Sequence, residues 1–502
     1  MHRATATVVF SFLFITASFA WAEVDPDLLA KAQAYDQGVR DGHVPEYGGI
    51  VQVVYETTDL LNVMFYKGQG DSTMWTATYG AGQAFRYAVT GEEEARQNAI
   101  AVVQTLHDHM RVTQTTGYIG RYVGPVADQR FWLDVFQLDE FRYGTGVWTG
   151  TFYLSNSSSD QYVGFFHGLS IIYDLVDDAP TRQLIREMIQ EVIDKLADHR
   201  WLILNEEGLP TTAAPGIDGG ERMALALIAA HVIDTPEYWQ LYEEVFEEGR
   251  ALLPIKSIAF WNRYTEYFAM NLKHQNHYNL FRLDPDDERV AFYFDNYMKR
   301  IHPHVAGMHQ TYFDYIYLIG CERLGICEDS YAIMEDGVEQ LHLFQQPPNT
   351  DIHITPGSPP GGIDPVSQRL VEIAAGLPEW LLELTGLEFE LQAKGGYDVA
   401  HRCRQEFIWQ RSPHQMTCAG FWPTHVMPGL DYLLAYWMGR YYGYLEPHDV
   451  DQPVDDDTAV DDDDDNDNDD ITDDDSDDDD NDAADDDDDN NDDDDDESGC
   501  GC

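Results

Sequence analysis

The chain has 502 residues, of which 43% are hydrophobic, and a formal net charge of −61 at pH 7. Of its 91 acidic residues, 32 lie beyond residue 448, and the rest of the chain has 59 acidic against 30 basic residues. Nucleic-acid binding depends on basic side chains that contact phosphates. Because even the body of this chain is acidic, we do not expect a nucleic-acid partner.

The first 22 residues have the pattern of a secretory signal peptide. Arg3 precedes the apolar run Val8–Phe14, and Ala20-Trp21-Ala22 has the form of a cleavage site. The apolar run is shorter than the roughly 20 residues of a membrane-spanning helix. We therefore predict that residues 1–22 are removed and that the protein is exported to the cell surface or the extracellular space.

Apolar residues recur at helical spacing along residues 23–447, which we predict to form one domain. In Ser157–Asp178 they occupy both sides of the helix, which is typical of a buried helix. Pro180–His199 is apolar on one face only, so the two stretches form a hairpin of an inner and an outer helix. The same pattern predicts helices at Asp25–Asp41, Ser72–Val89, Glu93–Val112, Glu221–Ile233, Tyr238–Leu253, Val290–Ile301, His309–Leu324, Tyr331–Leu343, Ser367–Gly376, Glu379–Leu384 and Leu430–Tyr444, and one that ends at Leu283.

Short polar links join each inner helix to its outer partner, and longer loops precede the inner helices. With the local motifs GDSTMW, TGEEEA and SSDQYVG, this succession of six hairpins resembles the six-hairpin glycosidases and several polysaccharide lyases. The resemblance covers about residues 70–445. It implies an all-α fold, an (α/α)6 toroid of helical hairpins, with an open helical solenoid as the alternative.

In such a toroid the starts of the inner helices and the loops before them surround one cleft. Aromatic side chains stack on sugar rings, and arginines bind hydroxyl and carboxylate groups. Each aromatic residue can instead belong to the core. The predicted substrate-binding residues in these loops are Trp75, Tyr118, Arg121, Tyr122, Trp148, Trp409, Arg411 and Trp422.

Asp71 and Asp160 each lie at the start of a predicted inner helix. Glycoside hydrolysis needs two carboxyl groups, one to protonate the leaving oxygen and one to activate water or attack the sugar. We therefore predict that both are catalytic. The alternative is structural, because Asp71 has the position of a helix N-cap and Ser157-x-x-Asp160 has capping-box spacing. Further acidic candidates are Asp139, Glu140, Asp218, Glu221 and Glu406.

A second candidate constellation is Asn276-His277-Tyr278, within KHQNHYN. Toroid polysaccharide lyases similar to the alginate and heparin families often carry Asn-Asn-His where a loop enters a helix, and this chain has Gln275-Asn276-His277. The resemblance implies that Asn276 neutralises a uronate carboxylate and that His277 or Tyr278 removes the C5 proton. A structural role for the histidine is the alternative.

The six cysteines are few for a disulfide scaffold, but an exported chain can oxidise them. Cys321 and Cys327 flank a turn that can bring them together, and Cys403 and Cys418 can form a second bridge. None of the spacings predicts a metal site.

Residues 448–502 contain almost nothing but Asp and Asn until a final Cys500-Gly501-Cys502. Such a segment cannot bury a core, so we predict a disordered tail that binds Ca²⁺ weakly. The tail resembles those of some bacterial surface proteins, which implies attachment to the cell envelope, and a merely solvated tail is the alternative.

Together these patterns favour an exported glycoside hydrolase that acts on a poly- or oligosaccharide in an aromatic-lined cleft. A polysaccharide lyase and a non-catalytic surface protein that binds glycans or partners are the alternatives. Apart from Ca²⁺ on the tail, no cofactor is predicted.

Overall fold

A computed structural model describes the chain from residue 24 to residue 445, with gaps. The described ranges are 24–135, 138–212, 215–250, 267–348, 359–378, 380–381, 393–402, 406–410, 412–414 and 424–445. The predicted signal peptide and the acidic tail lie outside them. So do Arg411, Trp422 and the second predicted bridge between Cys403 and Cys418.

The fold is predominantly helical, as predicted, and thirteen of the described helices have eleven residues or more. These are α1 (Pro26–Gly38), α2 (Ser72–Thr90), α3 (Glu93–Arg111), α4 (Ser159–Leu175), α5 (Ala179–Asp198), α6 (Gly219–Ile233), α7 (Pro236–Gly249), α8 (Phe268–Leu283), α9 (Asp287–Arg300), α10 (Thr311–Leu324), α11 (Ser330–Leu343), α12 (Pro365–Ala375) and α13 (Leu430–Tyr442).

Helix ends are determined by local chemistry. Helix α2 ends at Gly91, which has φ 67°, and α10 ends at Gly325, which has φ 66°. Glycine adopts this left-handed conformation without a steric penalty, so both helices stop there. Helix α5 begins at Asp178, whose carboxylate accepts a 3.0 Å hydrogen bond from the Thr181 amide. The links are therefore short, and each outer helix folds back at once.

The inner helices are α2, α4, α6, α8, α10 and α13, and nearly all of their residues are buried. Each packs against the next in this order, and α13 packs against α2. The outer helices are α3, α5, α7, α9 and α11, each against the inner helix before it, and α1, which packs against α13. The core lies between these two layers and inside the inner one.

Contacts between helix ends show that the inner helices α4, α6 and α8 run in the same direction. At the amino-terminal end, Lys273 of α8 donates a 2.5 Å hydrogen bond to Asp218, the N-cap of α6. At the other end, Arg282 of α8 donates a 2.5 Å hydrogen bond to Asp174 of α4. Asp174 also accepts a 2.7 Å hydrogen bond from His231, near the end of α6. The amino termini of α4, α6 and α8, which these contacts connect, therefore lie at the same end of the inner layer.

The predicted bridge between Cys321 and Cys327 is present, with the two Cα atoms 4.8 Å apart. Cys321 lies in the last turn of α10, and Cys327 follows the turn at Gly325. The bridge thus closes the link between α10 and α11.

Two three-stranded antiparallel sheets occupy loops for which the helical pattern predicted no strands. One has the order β2 (Val63–Lys67), β1 (Gln52–Tyr55), β6 (His425–Val426), and the other β3 (Tyr122–Pro125), β5 (Thr151–Leu154), β4 (Phe141–Tyr143). In the second sheet Tyr122 pairs with Leu154, and the Thr73 amide donates a 3.1 Å hydrogen bond to the Arg121 carbonyl. This sheet therefore joins the start of α2 to the start of α4.

Within the described ranges, none of the helices has the length and hydropathy needed to cross a membrane.

Candidate functional site

Asp71 and Asp160 lie at the starts of the adjacent inner helices α2 and α4, and both are partly exposed. Asp71 occupies the N-cap position of α2, but its side chain makes no capping hydrogen bond. The N-cap of α4 is Ser158, whose side chain also makes none, and Asp160 lies inside the first turn. The hydrogen bonds therefore do not support the structural alternative, in which Asp71 and Asp160 cap their helices.

Arg121 holds the two helix starts together. Its guanidinium donates hydrogen bonds to the Gly70 carbonyl at 2.8 Å, the Asn156 carbonyl at 3.0 Å and the Ser158 hydroxyl at 2.8 Å. The Ser158 hydroxyl in turn donates to Asp160. All of these acceptors are protein groups, so Arg121 acts as a cross-link between the segments that carry the two acids.

Asp160 is oriented by two neighbours in its own helix start. One oxygen accepts from Ser158, and the other accepts a 2.9 Å hydrogen bond from the Gln161 amide nitrogen. The Gln161 amide oxygen accepts a 3.2 Å hydrogen bond from the Met74 backbone of α2. Both oxygens of Asp160 therefore accept hydrogen bonds from side chains at the start of its own helix.

The carboxyl group of Asp71 differs from that of Asp160 in its hydrogen bonding. No donor among the described residues forms a hydrogen bond to its carboxyl group. The pKa of Asp71 is raised from 3.8 to about 6, chiefly by burial and also by the charge of Asp160, against an opposing effect of the charge of Arg121. The charge of Asp160 thus acts on Asp71, and the two carboxyl groups differ in their hydrogen-bond partners.

Carbon-13 NMR of the carboxyl groups tests this electrostatic coupling directly. In the unaltered protein we expect Asp71 to titrate near pH 6, well above an exposed aspartate. Asp160→Asn removes a negative neighbour, so the pKa of Asp71 should fall. Asp177→Asn is the matched control, since Asp177 is 86% exposed and lies in the link after α4. Equal Asp71 pKa values in all three proteins would show that the two acids do not interact.

Glu221 and Asp218 add a third acidic position at the start of α6. They form a capping box, in which the Glu221 amide donates to Asp218 at 2.9 Å and the Asp218 amide donates to Glu221 at 2.9 Å. Burial raises the pKa of Glu221, and Asp218 and Asp160 raise it further, while Lys273 lowers it. Glu221 is one of the further acidic candidates from the sequence, and the charge of Asp160 contributes to its raised pKa.

Asn276, His277 and Tyr278 do not converge. They lie in the middle of α8, not at a loop–helix junction, and successive residues of a helix point about 100° apart. His277 faces outward, with its ring 5.3 Å from that of Tyr297 in α9, and burial lowers its pKa to about 4. Tyr278 faces inward and bonds to the Tyr442 hydroxyl at 3.1 Å. One sugar cannot meet all three side chains.

The predicted aromatic residues fall into two groups. Tyr122 belongs to a small separate core, with its ring 5.4 Å from Phe131. Tyr118 is buried and bonds to the Ser155 hydroxyl at 2.9 Å, so it supports the loop before α4. Trp148 is half-buried against Tyr47, with ring centroids 6.4 Å apart. The contacts that the structure describes for Tyr122, Tyr118 and Trp148 are therefore with other residues of the protein.

Trp75 and Trp409 form the second group, together with Phe407. The Phe407 ring lies 5.1 Å from that of Trp75, in the first turn of α2, and 5.3 Å from that of Trp409. Both indole nitrogens are buried without a hydrogen-bond partner among the described residues. Buried indole nitrogens normally have an acceptor, so each has bonding capacity left for a ligand or water.

Two further residues of α8 were not predicted from the sequence. The Asn271 amide oxygen and both amide atoms of Gln275 are buried without a partner in the described part of the chain. Asn271, Gln275 and Tyr278 share one helix face. Tyr278 contacts Phe85 of α2 and His167 of α4, so this face is directed into the interior. Two amide side chains four residues apart are common in helices, so this spacing could not have identified Asn271 and Gln275 from the sequence.

Elsewhere, Asp139 is exposed and Glu140 is half-buried near β4, apart from the helix starts. No group of three or more His, Cys, Asp or Glu side chains in the described ranges is arranged to hold a metal ion.

Comparisons with known proteins add no further information on the site. No protein-family model matches the chain, and no curated protein is similar to it in sequence.

Proposed function

We propose that the chain is an exported glycoside hydrolase that cleaves a poly- or oligosaccharide at Asp71 and Asp160. In this proposal the six inner and six outer helices close into an (α/α)6 toroid. The order in which the inner helices pack, with α13 against α2, supports closure over an open solenoid. Export rests on the signal-peptide pattern of residues 1–22 alone.

One observation carries the proposal: two interacting carboxyl groups lie at adjacent inner-helix starts, and neither caps its helix. Glycosidases use two carboxyl groups that differ in environment, one of them protonated and the other ionised. The raised pKa of Asp71 keeps a proton available in mildly acidic solution. Asp160, which accepts two hydrogen bonds, is bonded as the ionised partner.

In the proposed reaction Asp71 gives its proton to the glycosidic oxygen as the bond from that oxygen to the anomeric carbon breaks. Asp160 either takes a proton from the water that adds to this carbon or bonds to the carbon first. In both routes the water supplies a hydroxyl group to one sugar. In the first route Asp160 releases the water's proton to solvent and Asp71 regains a proton from solvent, whereas in the second route Asp71 takes the water's proton directly. The configuration of the released anomer, read by proton NMR, distinguishes the two routes.

Elimination on a uronate is less well supported. It needs a base and a carboxylate-neutralising group on one side of the sugar, whereas His277 and Tyr278 point in different directions. Two cations near the start of these helices in the described ranges are also engaged, because Arg121 bonds to protein acceptors and Lys273 bonds to Asp218.

The test is a panel of neutral, basic and uronate polysaccharides incubated with the purified protein. Reducing ends and ultraviolet absorbance are measured together, since only elimination creates a conjugated double bond. Reducing ends without new absorbance are expected. Parallel growth of both signals would establish a lyase, and no cleavage across the panel would leave glycan binding as the better explanation.

A further inference from the structure

We infer that Arg121 is a positioning residue for the proposed reaction, because one guanidinium group aligns Asp160 through Ser158 and also lies beside Asp71. This inference rests on the proposed function and adds control of both acids by a single side chain. It gives Arg121 a different role from the substrate contact expected from the sequence.

The main chain of Arg121 is fixed between the two helix starts that carry the acids. Its carbonyl accepts a 3.1 Å hydrogen bond from the amide of Thr73, in the first turn of α2. Its amide donates a 2.8 Å hydrogen bond to the carbonyl of Leu154, the last residue of β5. The guanidinium group therefore starts from a backbone that is tied both to α2 and to the segment leading to α4.

The side chain of Arg121 acts on Asp160 through the Ser158 hydroxyl. A guanidinium group can only donate hydrogen bonds, so the Ser158 oxygen accepts from Arg121, at 2.8 Å, and the hydroxyl proton goes to Asp160. A cation at the head of such a chain strengthens the bond at its far end. The other oxygen of Asp160 accepts from Gln161, so separate donors hold the two oxygens and fix the orientation of the carboxylate.

The same guanidinium group lies beside Asp71. One terminal nitrogen donates a 2.8 Å hydrogen bond to the carbonyl of Gly70, the residue before Asp71. Among the described residues, the charged groups that act on the Asp71 carboxyl group are Asp160 of α4, which raises its pKa, and Arg121, which lowers it. Glu221 of α6 interacts with Asp160. Arg121 therefore limits how far the pKa of Asp71 rises, and with it the pH at which the proposed acid loses its proton.

The bonding of Arg121 is that of a residue engaged with the protein. Each of its three guanidinium nitrogens donates to a protein oxygen, those of Gly70, Asn156 and Ser158. The planar fork of arginine can reach these acceptors together, whereas the ammonium group of lysine is a point charge on a flexible stem. Replacement by lysine therefore separates the effect of the charge from that of the geometry.

Carbon-13 NMR of the Asp71 carboxyl group tests the effect of the charge without a substrate. Arg121→Met removes the cation, so the pKa of Asp71 should rise, whereas Ser158→Ala removes no charge and should leave it unchanged. Arg323→Met is the control for a lost positive charge, since Arg323 bonds to Asp287, which follows the carboxyl end of α8. An unchanged pKa of Asp71 in Arg121→Met would overturn the inference.

Reducing-end kinetics on a polysaccharide that the protein cleaves test the alignment of Asp160. Arg121→Lys and Ser158→Ala should each lower kcat about tenfold to a hundredfold at nearly constant KM, because both disturb the chain to Asp160 and keep the positive charge. Arg121→Met should also move the loss of activity at rising pH to a higher pH, because its Asp71 holds the proton longer. A raised KM at unchanged kcat would mean that Arg121 contacts the substrate and would overturn the inference.

The outcomes for the inference and for the proposed function are distinct. Silence of the unaltered protein on every polysaccharide would count against the proposed hydrolase. An active protein whose Arg121 and Ser158 variants keep both kcat and the pKa of Asp71 would overturn only the role of Arg121.

Discussion

Asp71→Asn and Asp160→Asn are each expected to lower the rate of glycoside hydrolysis about a thousandfold, the effect of removing a general acid or base. Asp71 has a raised pKa and no hydrogen-bond donor among the described residues, so it is the group that can deliver a proton. Asp160 accepts two hydrogen bonds and is the group that can act on water or on the sugar. Initial rates of reducing-end release measure both effects.

The leaving group distinguishes the two roles. The dinitrophenolate group of a dinitrophenyl glycoside leaves without needing a proton. Asp71→Asn should therefore retain most of its activity on that substrate, while Asp160→Asn remains inactive. With natural substrates, activity should fall as the pH rises through about 6, because Asp71 loses its proton there. Equal losses of both variants on the activated substrate would contradict the assignment of Asp71 as the acid.

The melting temperature of Asp71→Asn shows whether its lost activity reflects unfolding. Since the pKa of Asp71 is raised in the folded protein, the folded state holds more protons than the unfolded state between pH 3.8 and about 6. The contribution of Asp71 to the stability of the folded protein is therefore lost as the pH rises through this window. Asp71→Asn should not lower the melting temperature above pH 6 and is expected to raise it slightly. A large decrease would mean that lost activity reflects unfolding.

Asp36→Ala is expected to produce the largest loss of stability, about 3–5 kcal/mol, as for removal of one partner of a buried ion pair. Asp36 lies in α1 and is 2% exposed. Its carboxylate accepts hydrogen bonds from Tyr79 at 2.9 Å, Gln83 at 2.6 Å and Arg86 at 2.6 Å, all in α2. Its removal leaves these groups of α2, including the cation of Arg86, without their common acceptor.

Urea unfolding followed by circular dichroism measures this loss. Asp177→Ala is the matched control, because its ion pair with Arg182 is long, at 3.4 Å, and largely exposed. Such a surface pair contributes about 0–1 kcal/mol. If both variants lost the same stability, the carboxylate of Asp36 would not be the connection that holds α1 to α2.

The helices followed from the sequence because their signals are local. Helix α2 was predicted at Ser72–Val89 and extends over Ser72–Thr90, and α11 was predicted at Tyr331–Leu343 and extends over Ser330–Leu343. Apolar periodicity and the glycines at helix ends act over a few residues, so they can be read directly. The Cys321–Cys327 bridge was predictable for the same reason, since one turn separates the two cysteines.

The small sheets were not predicted. Strands β3, β4 and β5 have only three or four residues each, and their hydrogen bonds join segments far apart in the chain. Short aromatic strands of this kind have no periodicity that distinguishes them from a loop. Yet the pairing of β3 with β5 brings Arg121 to the loop before α4.

The sequence by itself determined the helical content, the position of most helices and the two acids worth testing. It could not decide between capping and catalysis for Asp71 and Asp160, because both roles use the same residue at the same helix position. The tertiary structure shows that neither side chain forms a capping hydrogen bond and that the charge of Asp160 raises the pKa of Asp71. Catalysis by the two acids is the proposal that the variants above test. The tertiary structure likewise directs His277 and Tyr278 to different sides of α8 and shows that the Gln275 amide has no partner among the described residues. Hydrogen-bond partners, burial and charge interactions depend on groups distant in sequence, and only folding brings these together.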